Sequence, residues 1–157
     1  MNRTFKADEI VNFAINIEIN GKEFYKTVAA MLKKSAVKEA FLWLAGEEEK
    51  HMKIFEEMYS ELDSHVQPES HPGEYGEYVR ALVKENVFTK NNMVKEMVSK
   101  SITAAPALQL ALKFEKDTIL FFIEMKNFVP VSQQKTIDNL IEEEKKHINK
   151  IVSLNKI

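Results

Sequence analysis

A pattern near residue 18 of this chain recurs near residue 115. Ala14-Ile15-Asn16-Ile17-Glu18-Ile19-Asn20-Gly21-Lys22-Glu23-Phe24-Tyr25 has the same apolar and polar order as Ala111-Leu112-Lys113-Phe114-Glu115-Lys116-Asp117-Thr118-Ile119-Leu120-Phe121-Phe122. Glu47-Glu48-Glu49-Lys50-His51 likewise matches Glu143-Glu144-Lys145-Lys146-His147. From Glu18 to His51 is 33 positions, and from Glu115 to His147 is 32. A near-constant offset predicts a twofold-repeated unit, and apolar residues at helical spacing make each unit a pair of long amphipathic helices. The four segments are Ala7–Lys33, Ala36–Leu62, Ala104–Phe128 and Gln133–Leu154. At about 1.5 Å per residue each would run about 30–40 Å.

Short joins within each pair predict antiparallel hairpins. Ser35 and Ser132 are the expected N-caps of the second and fourth helices, and Pro130 stands where the third must stop. Residues 63–103 form a long crossover that opens on a Pro- and Ser-rich run and would lay the second and third helices parallel. Within it, Tyr75, Tyr78, Val79 and Leu82 predict one short helix, and Met93 to Val98 another. Gly and Pro number only 4 each in 157 residues, where an average chain carries roughly 12% of the two together. The expected fold is all-α: a single four-helix bundle over 1–157, made of two hairpins joined by the crossover.

The chain has no cysteine, which removes disulfides, thiolate nucleophiles, iron–sulfur clusters and Cys-based zinc. Any metal must be held by oxygen and imidazole. A net charge of −2 and a pI near 6.1 supply no basic face for a phosphate backbone, so no nucleic-acid partner is expected. No signal-peptide pattern is present at the N-terminus, and the most apolar stretch, Thr118 to Ile123, falls far short of the ~20 residues of a membrane span. The expectation is a cytoplasmic protein with no membrane partner.

Stepping three and four residues along each helix keeps side chains on one face. The second helix then reads Val37, Phe41, Leu44, Glu48, His51, Phe55, Met58, Leu62, and the fourth Ile137, Leu140, Glu144, His147, Ile151, Leu154. The first places Glu18, and the third Glu115, in mid-stripe; Gly21 and Thr118 stand one turn later, where the other helices carry His. Six polar groups in a bundle core are not a stability device, because buried carboxylates are costly and repel one another. Two divalent cations would cancel the charge of four carboxylates. This donor set suits iron or manganese, and zinc would also bind.

With these residues in register the chain resembles the ferritin-like superfamily, and within it the rubrerythrin-type di-iron domain. The general pattern is a single Glu from each of two helices and Glu-x-x-His from each of the other two. The resemblance implies two iron ions, with Glu18 and Glu115 as terminal ligands, Glu48 and Glu144 bridging, and His51 and His147 as nitrogen ligands. It also implies reaction with peroxide or dioxygen. Rubrerythrins proper carry a further carboxylate one turn after the third-helix Glu, where this chain has Thr118, and a Cys-rich rubredoxin domain, of which this chain has no trace. Electrons would therefore come from an external donor protein. Iron binding or ferroxidase activity without peroxidase turnover is the alternative, as is a non-enzymatic, metal-stabilised binding module.

Glu47, Glu49, Glu142 and Glu143 read as a solvated charged face. Glu47 and Glu143 are also spaced to hydrogen-bond the second nitrogen of a metal-bound His. Tyr25, two turns after Glu18, reads first as core packing and second as a hydrogen-bond donor to a ligand; its counterpart Phe122 has no hydroxyl. Trp43 flanks the second stripe and is expected against the crossover or a second subunit. With Leu42 it points to a homodimer. The methionines read as gap-fillers, and His65 and His71 as crossover residues without a metal role.

Overall fold

The computed structural model describes residues 5–62, 73–85 and 102–155. These form α1 (Ala7–Met31), α2 (Ala36–Glu61), α3 (Glu74–Glu85), α4 (Ala104–Met125) and α5 (Val131–Leu154), with no strand among the described residues. The expected stretch Met93 to Val98, together with His65 and His71, lies outside them. No described helix is long and apolar enough to cross a membrane.

Local chemistry explains most boundaries. Asp8 and Glu9 place negative charge in the first turn of α1, and Glu9 accepts from the Lys6 backbone N–H at 3.0 Å. Ser35 caps α2, its hydroxyl accepting from the Lys38 backbone N–H at 3.2 Å. Four helix ends differ from expectation: α1 stops at Met31 rather than Lys33 and α2 at Glu61 rather than Leu62, each where the next residue is extended, and the other two involve longer-range contacts. The third long helix stops at Met125 rather than Phe128, because Asn127 and Phe128 turn back in tight bonds to Glu124 and Met125. Phe128 thereby leaves the helix and stacks on Tyr75, with ring centroids 6.3 Å apart. The fourth helix starts at Val131 with extended Pro130 as its cap, so Ser132 lies inside the first turn. Its start is tied across the bundle instead, Gln133 Nε2 donating to the Met58 carbonyl at 2.9 Å.

The chain direction follows from such contacts. The start of α1 meets the end of α4 through Phe5 and Phe128, whose rings are 6.5 Å apart, and the end of α2 meets the start of α5 through Gln133. With α1 and α2 joined by a four-residue turn, α2 and α4 run parallel, as the crossover predicts. Gly73, at φ 81°, opens α3 in a conformation that disfavours a side chain. α3 then packs Val79 and Val83 inward while Tyr78 remains exposed, and Tyr75 donates to Glu124 at 2.6 Å. The result closes the end of the bundle near Phe5 and Phe128, over which Arg80 also lies.

All four stripes face the core. Beside them runs a second buried column, Ile17, Phe24, Phe114 and Phe121, in which Phe24 and Phe114 meet edge to face at 4.8 Å. It makes the wall around the mid-bundle polar residues dry and stiff.

Candidate metal centre

Half-way along the bundle the four stripes bring Glu18 of α1, Glu48 and His51 of α2, Glu115 of α4, and Glu144 and His147 of α5 together. All six are buried, Glu144 and His147 completely. The arrangement is two overlapping groups: Glu18, Glu48, Glu144 with His51, and Glu48, Glu115, Glu144 with His147, the donor atoms of each lying within 4.8 Å of one another. His51 Nδ1 stands 2.8 Å from Glu144 Oε1, 3.5 Å from Glu48 Oε2 and 3.9 Å from Glu18 Oε1. Across the pseudo-twofold axis, His147 Nδ1 stands 2.9 Å from Glu144 Oε2, 3.5 Å from Glu48 Oε1 and 3.6 Å from Glu115 Oε2. The two imidazoles lie parallel, 5.3 Å apart and inclined by 9°.

Proximity here is not hydrogen bonding. Both oxygens of Glu144, Nδ1 of both histidines and Glu18 Oε1 are buried with no hydrogen-bond partner. A buried polar atom left unsatisfied costs about 1–3 kcal/mol, so five in one place would be a severe defect in a structural core. They are what a donor set aimed at shared cations requires, and they fit a two-metal carboxylate site.

Without metal, protons must balance the same charge. Burial, then Glu48, raises the Glu18 carboxyl well above its ordinary value, and burial with Glu144 and Glu48 does the same to Glu115. Burial opposes a charge on His51, yet the carboxylates of Glu144 and Glu48 outweigh it and push the imidazole up to about 9. His147 is raised in the same way by Glu115, Glu144 and Glu48, against burial. Glu48 and Glu144 are held low despite burial, Glu48 by Glu18 and both imidazoles, Glu144 chiefly by the two imidazoles. Burial and mutual repulsion thus drive Glu18 and Glu115 toward their protonated form, while the carboxylates of Glu48 and Glu144 favour the charged form of both imidazoles.

A family profile described as Rubrerythrin matches residues 9–154, nearly the whole chain. The chain belongs to the rubrerythrin family. Among solved structures it resembles a Thermotoga maritima protein described as a candidate ferritin-like diiron-carboxylate protein, with 24% identity, a TM-score of 0.71, and 98% of this chain and 97% of that one covered. That likeness carries the fold. No curated protein matches the chain. Family membership and the buried Glu and His clusters together point to iron binding.

Around this rubrerythrin-family site, three neighbours add detail that the sequence left open. Tyr25 is fully buried against Phe24 and Phe41, but its hydroxyl also donates to Glu115 Oε1 on the opposite hairpin. Trp43 packs edge-on against His147, with centroids 5.6 Å apart, and carries Lys150 over its ring at 5.0 Å. Among the described residues, its ring partners are thus His147 and Lys150. Glu49, Glu142 and Glu143 form the expected solvated face, paired with lysines. The Glu47 side chain is instead withdrawn, only 13% exposed. Periodicity could have found Glu47 and Trp43, because residues 43, 47 and 51 share one face of α2.

Proposed function

We propose that Glu18, Glu48, His51, Glu115, Glu144 and His147 hold two iron ions, and that the protein is a redox protein reducing peroxide or dioxygen with electrons from an external donor protein. The iron pair would supply reversible ferrous–ferric chemistry and two electrons for each oxidant reduced. The observation that carries this reading is Glu144: its two oxygens each approach a different imidazole within 2.9 Å and bond to neither.

The chain's own residues fill distinct roles. Glu48 and Glu144 face both histidines and suit bridging positions, while Glu18 and Glu115 each face one and suit terminal positions. Tyr25 fixes the orientation of Glu115 through its hydroxyl, and burial with the nearby Glu115 and Glu48 charges raises its pKa, so it stays protonated as a donor. Phe41, Phe55, Phe114 and Phe122, all buried, keep bulk water from the donor atoms and strengthen every electrostatic contact there.

Anaerobic titration of chelator-treated protein with ferrous iron, followed by peroxide or air, tests the proposal. Two irons per chain are expected, with ferric near-ultraviolet absorption appearing on oxidation. Absence of iron uptake would end it. A second reading, iron oxidation without repeated peroxide turnover, is favoured by Thr118, buried one turn after Glu115 where a further carboxylate would stand in rubrerythrins proper. Sustained peroxide consumption with a chemical reductant present separates the two. A homodimer completes the proposal, built on exposed Leu42, Trp43, Leu120 and Ile123. Sedimentation at twice the 18.2 kDa chain mass is its test.

A further inference from the structure

The two halves of the centre match in their ligands but not in what lies behind them. Both imidazoles turn Nδ1 toward the carboxylates, so Nε2 points outward. When Nδ1 binds a metal the ring proton sits on Nε2 and needs an acceptor, which orients the ring and raises its strength as a ligand. His147 Nε2 is buried and has no partner. Glu47 is the group within reach: one of its carboxylate oxygens lies within 4.8 Å of a ring nitrogen of both His147 and His51. Rotation of that carboxylate, or one bridging water, closes the gap. Lys50 holds Glu47 Oε1 at 2.6 Å, and Trp43, one turn earlier on the same face of α2, packs its ring against His147.

The repeat supplies an internal control. Glu143 occupies the equivalent place on α5, but its side chain is 42% exposed and paired with Lys146 at 2.7 Å. Where α2 has Trp43, α5 has exposed Asn139. The centre therefore has one sheltered outer carboxylate, on α2, and one solvated one, on α5; of the two imidazoles beside Glu47, His147 is the one whose Nε2 is buried without a partner and whose ring Trp43 covers.

Resting on the two-metal reading above, we propose that Glu47 is a positioning residue that accepts the Nε2 proton of His147, directly or through one water, and makes the Glu115–His147 half hold its metal more tightly than the Glu18–His51 half. The test is anaerobic titration of the chelated, full-length protein with cobalt(II), read in two channels. Visible cobalt absorption reports both ions. Fluorescence of Trp43, the single tryptophan, reports the ion beside His147. Two steps are expected, the first quenching Trp43. Glu47→Gln should weaken that step about 10- to 100-fold, as outer carboxylates commonly do, and leave the other step in place. Glu47→Asp should recover part of the loss, and Glu143→Gln should change neither step. Two equal steps in the native protein, an unaltered quenching step in Glu47→Gln and Glu47→Asp, or the same loss in Glu143→Gln would each overturn the assignment. Absence of any cobalt uptake by the native protein would instead overturn the metal reading, and this inference with it.

Discussion

Glu18→Gln should stabilise the chelated protein and destabilise the metal-loaded one. Glu18 is buried, its Oε1 has no hydrogen-bond partner, and burial with Glu48, Glu144 and Glu115 raises its pKa well above that of an exposed carboxyl. A group that binds its proton more tightly when folded contributes stability below its unfolded pKa, about 4.3 for Glu. That contribution is lost as pH rises through the folded value. At neutral pH the native chain therefore bears a penalty that the isosteric amide does not. Relieving buried ionic strain with a group of equal volume is worth about 1–4 kcal/mol in comparable sites, and retention of one unsatisfied oxygen by the amide places this case near 1–2 kcal/mol. Saturating metal reverses the sign: at a free concentration one hundred times Kd, a ligand stabilises by about 2.7 kcal/mol per ion, and the variant forfeits much of this at the His51 half. The assay is urea unfolding at pH 7 with chelator and with excess ferrous iron under anaerobic conditions. In chelator, the advantage of the variant should shrink toward pH 4. Equal destabilisation with and without metal would refute the reasoning, because Glu18 would then be holding the fold rather than a cation.

Three further outcomes follow from the same geometry. Glu144→Gln should abolish both metal-binding steps, because Glu144 belongs to both clusters, whereas Glu18→Gln and Glu115→Gln should each spare one; iron per chain at fixed free metal decides this. Tyr25→Phe should cost the loaded protein about 1.5–3 kcal/mol, the range for a hydrogen bond to a charged group, since Glu115 Oε1 loses its donor; denaturation of loaded protein reads it, and an unchanged midpoint would show the bond to be idle. Metal uptake should release protons and weaken by about tenfold for each proton displaced per pH unit as pH falls below about 9, because His51, pushed up to about 9, must give up its proton to bind. Indicator-dye titration in weak buffer checks this. Conversely, the His51 contribution to the chelated fold, complete below the unfolded value near 6.5, should fade as pH rises through about 9.

The six candidate ligands were legible because two constraints coincide in them. Helical phase picks out the inward face of each helix, and only a strong compensating interaction keeps a Glu or His on that face beside Phe41, Leu44 or Ile151. The repeat then removed the chance of a phase error. Helix ends were less legible. Phe128 leaves α4 to stack on Tyr75, 53 positions earlier in the chain, and where a Ser132 cap is expected Gln133 ties the start of α5 to the Met58 carbonyl; neither contact is visible to a local window. Tyr78 illustrates the same limit, because Val83 rather than Tyr78 takes the inward place on α3. Charge runs were the other blind spot. Glu47 and Glu143 each precede a candidate ligand Glu and stand three residues before a Lys, and the differences around them, Trp43 against Asn139 four residues earlier and Gly46 against Glu142 beside them, do not by themselves say which carboxylate is sheltered.

That difference bears on how a duplicated bundle would hold the two unequal ions proposed above. The carboxylates and imidazoles are constrained to remain paired, since four negative charges balance two divalent cations and loss of any one leaves a buried charge uncompensated. No such balance governs the surrounding positions, and there the halves diverge: Tyr25 against Phe122, Gly21 against Thr118, Trp43 against Asn139. Two of these three differences fall on the same half. Tyr25 secures Glu115 and Trp43 packs on His147, both ligands of one cluster, while Glu18 Oε1 in the other has no hydrogen-bond partner. A tightly held ion beside a loosely held one would suit the proposed reaction with an oxidant, because the looser coordination sphere could rearrange while the tighter one kept the pair in place. On the proposed oxidant-reducing reading, this asymmetry predicts that the oxidant would approach at the Glu18–His51 half. Loss of oxidation rate with metal content preserved in a Gly21→Ala variant, which narrows the space one turn beyond Glu18, would support that assignment. An unchanged rate, or an equal effect from Thr118→Val on the other half, would refute it.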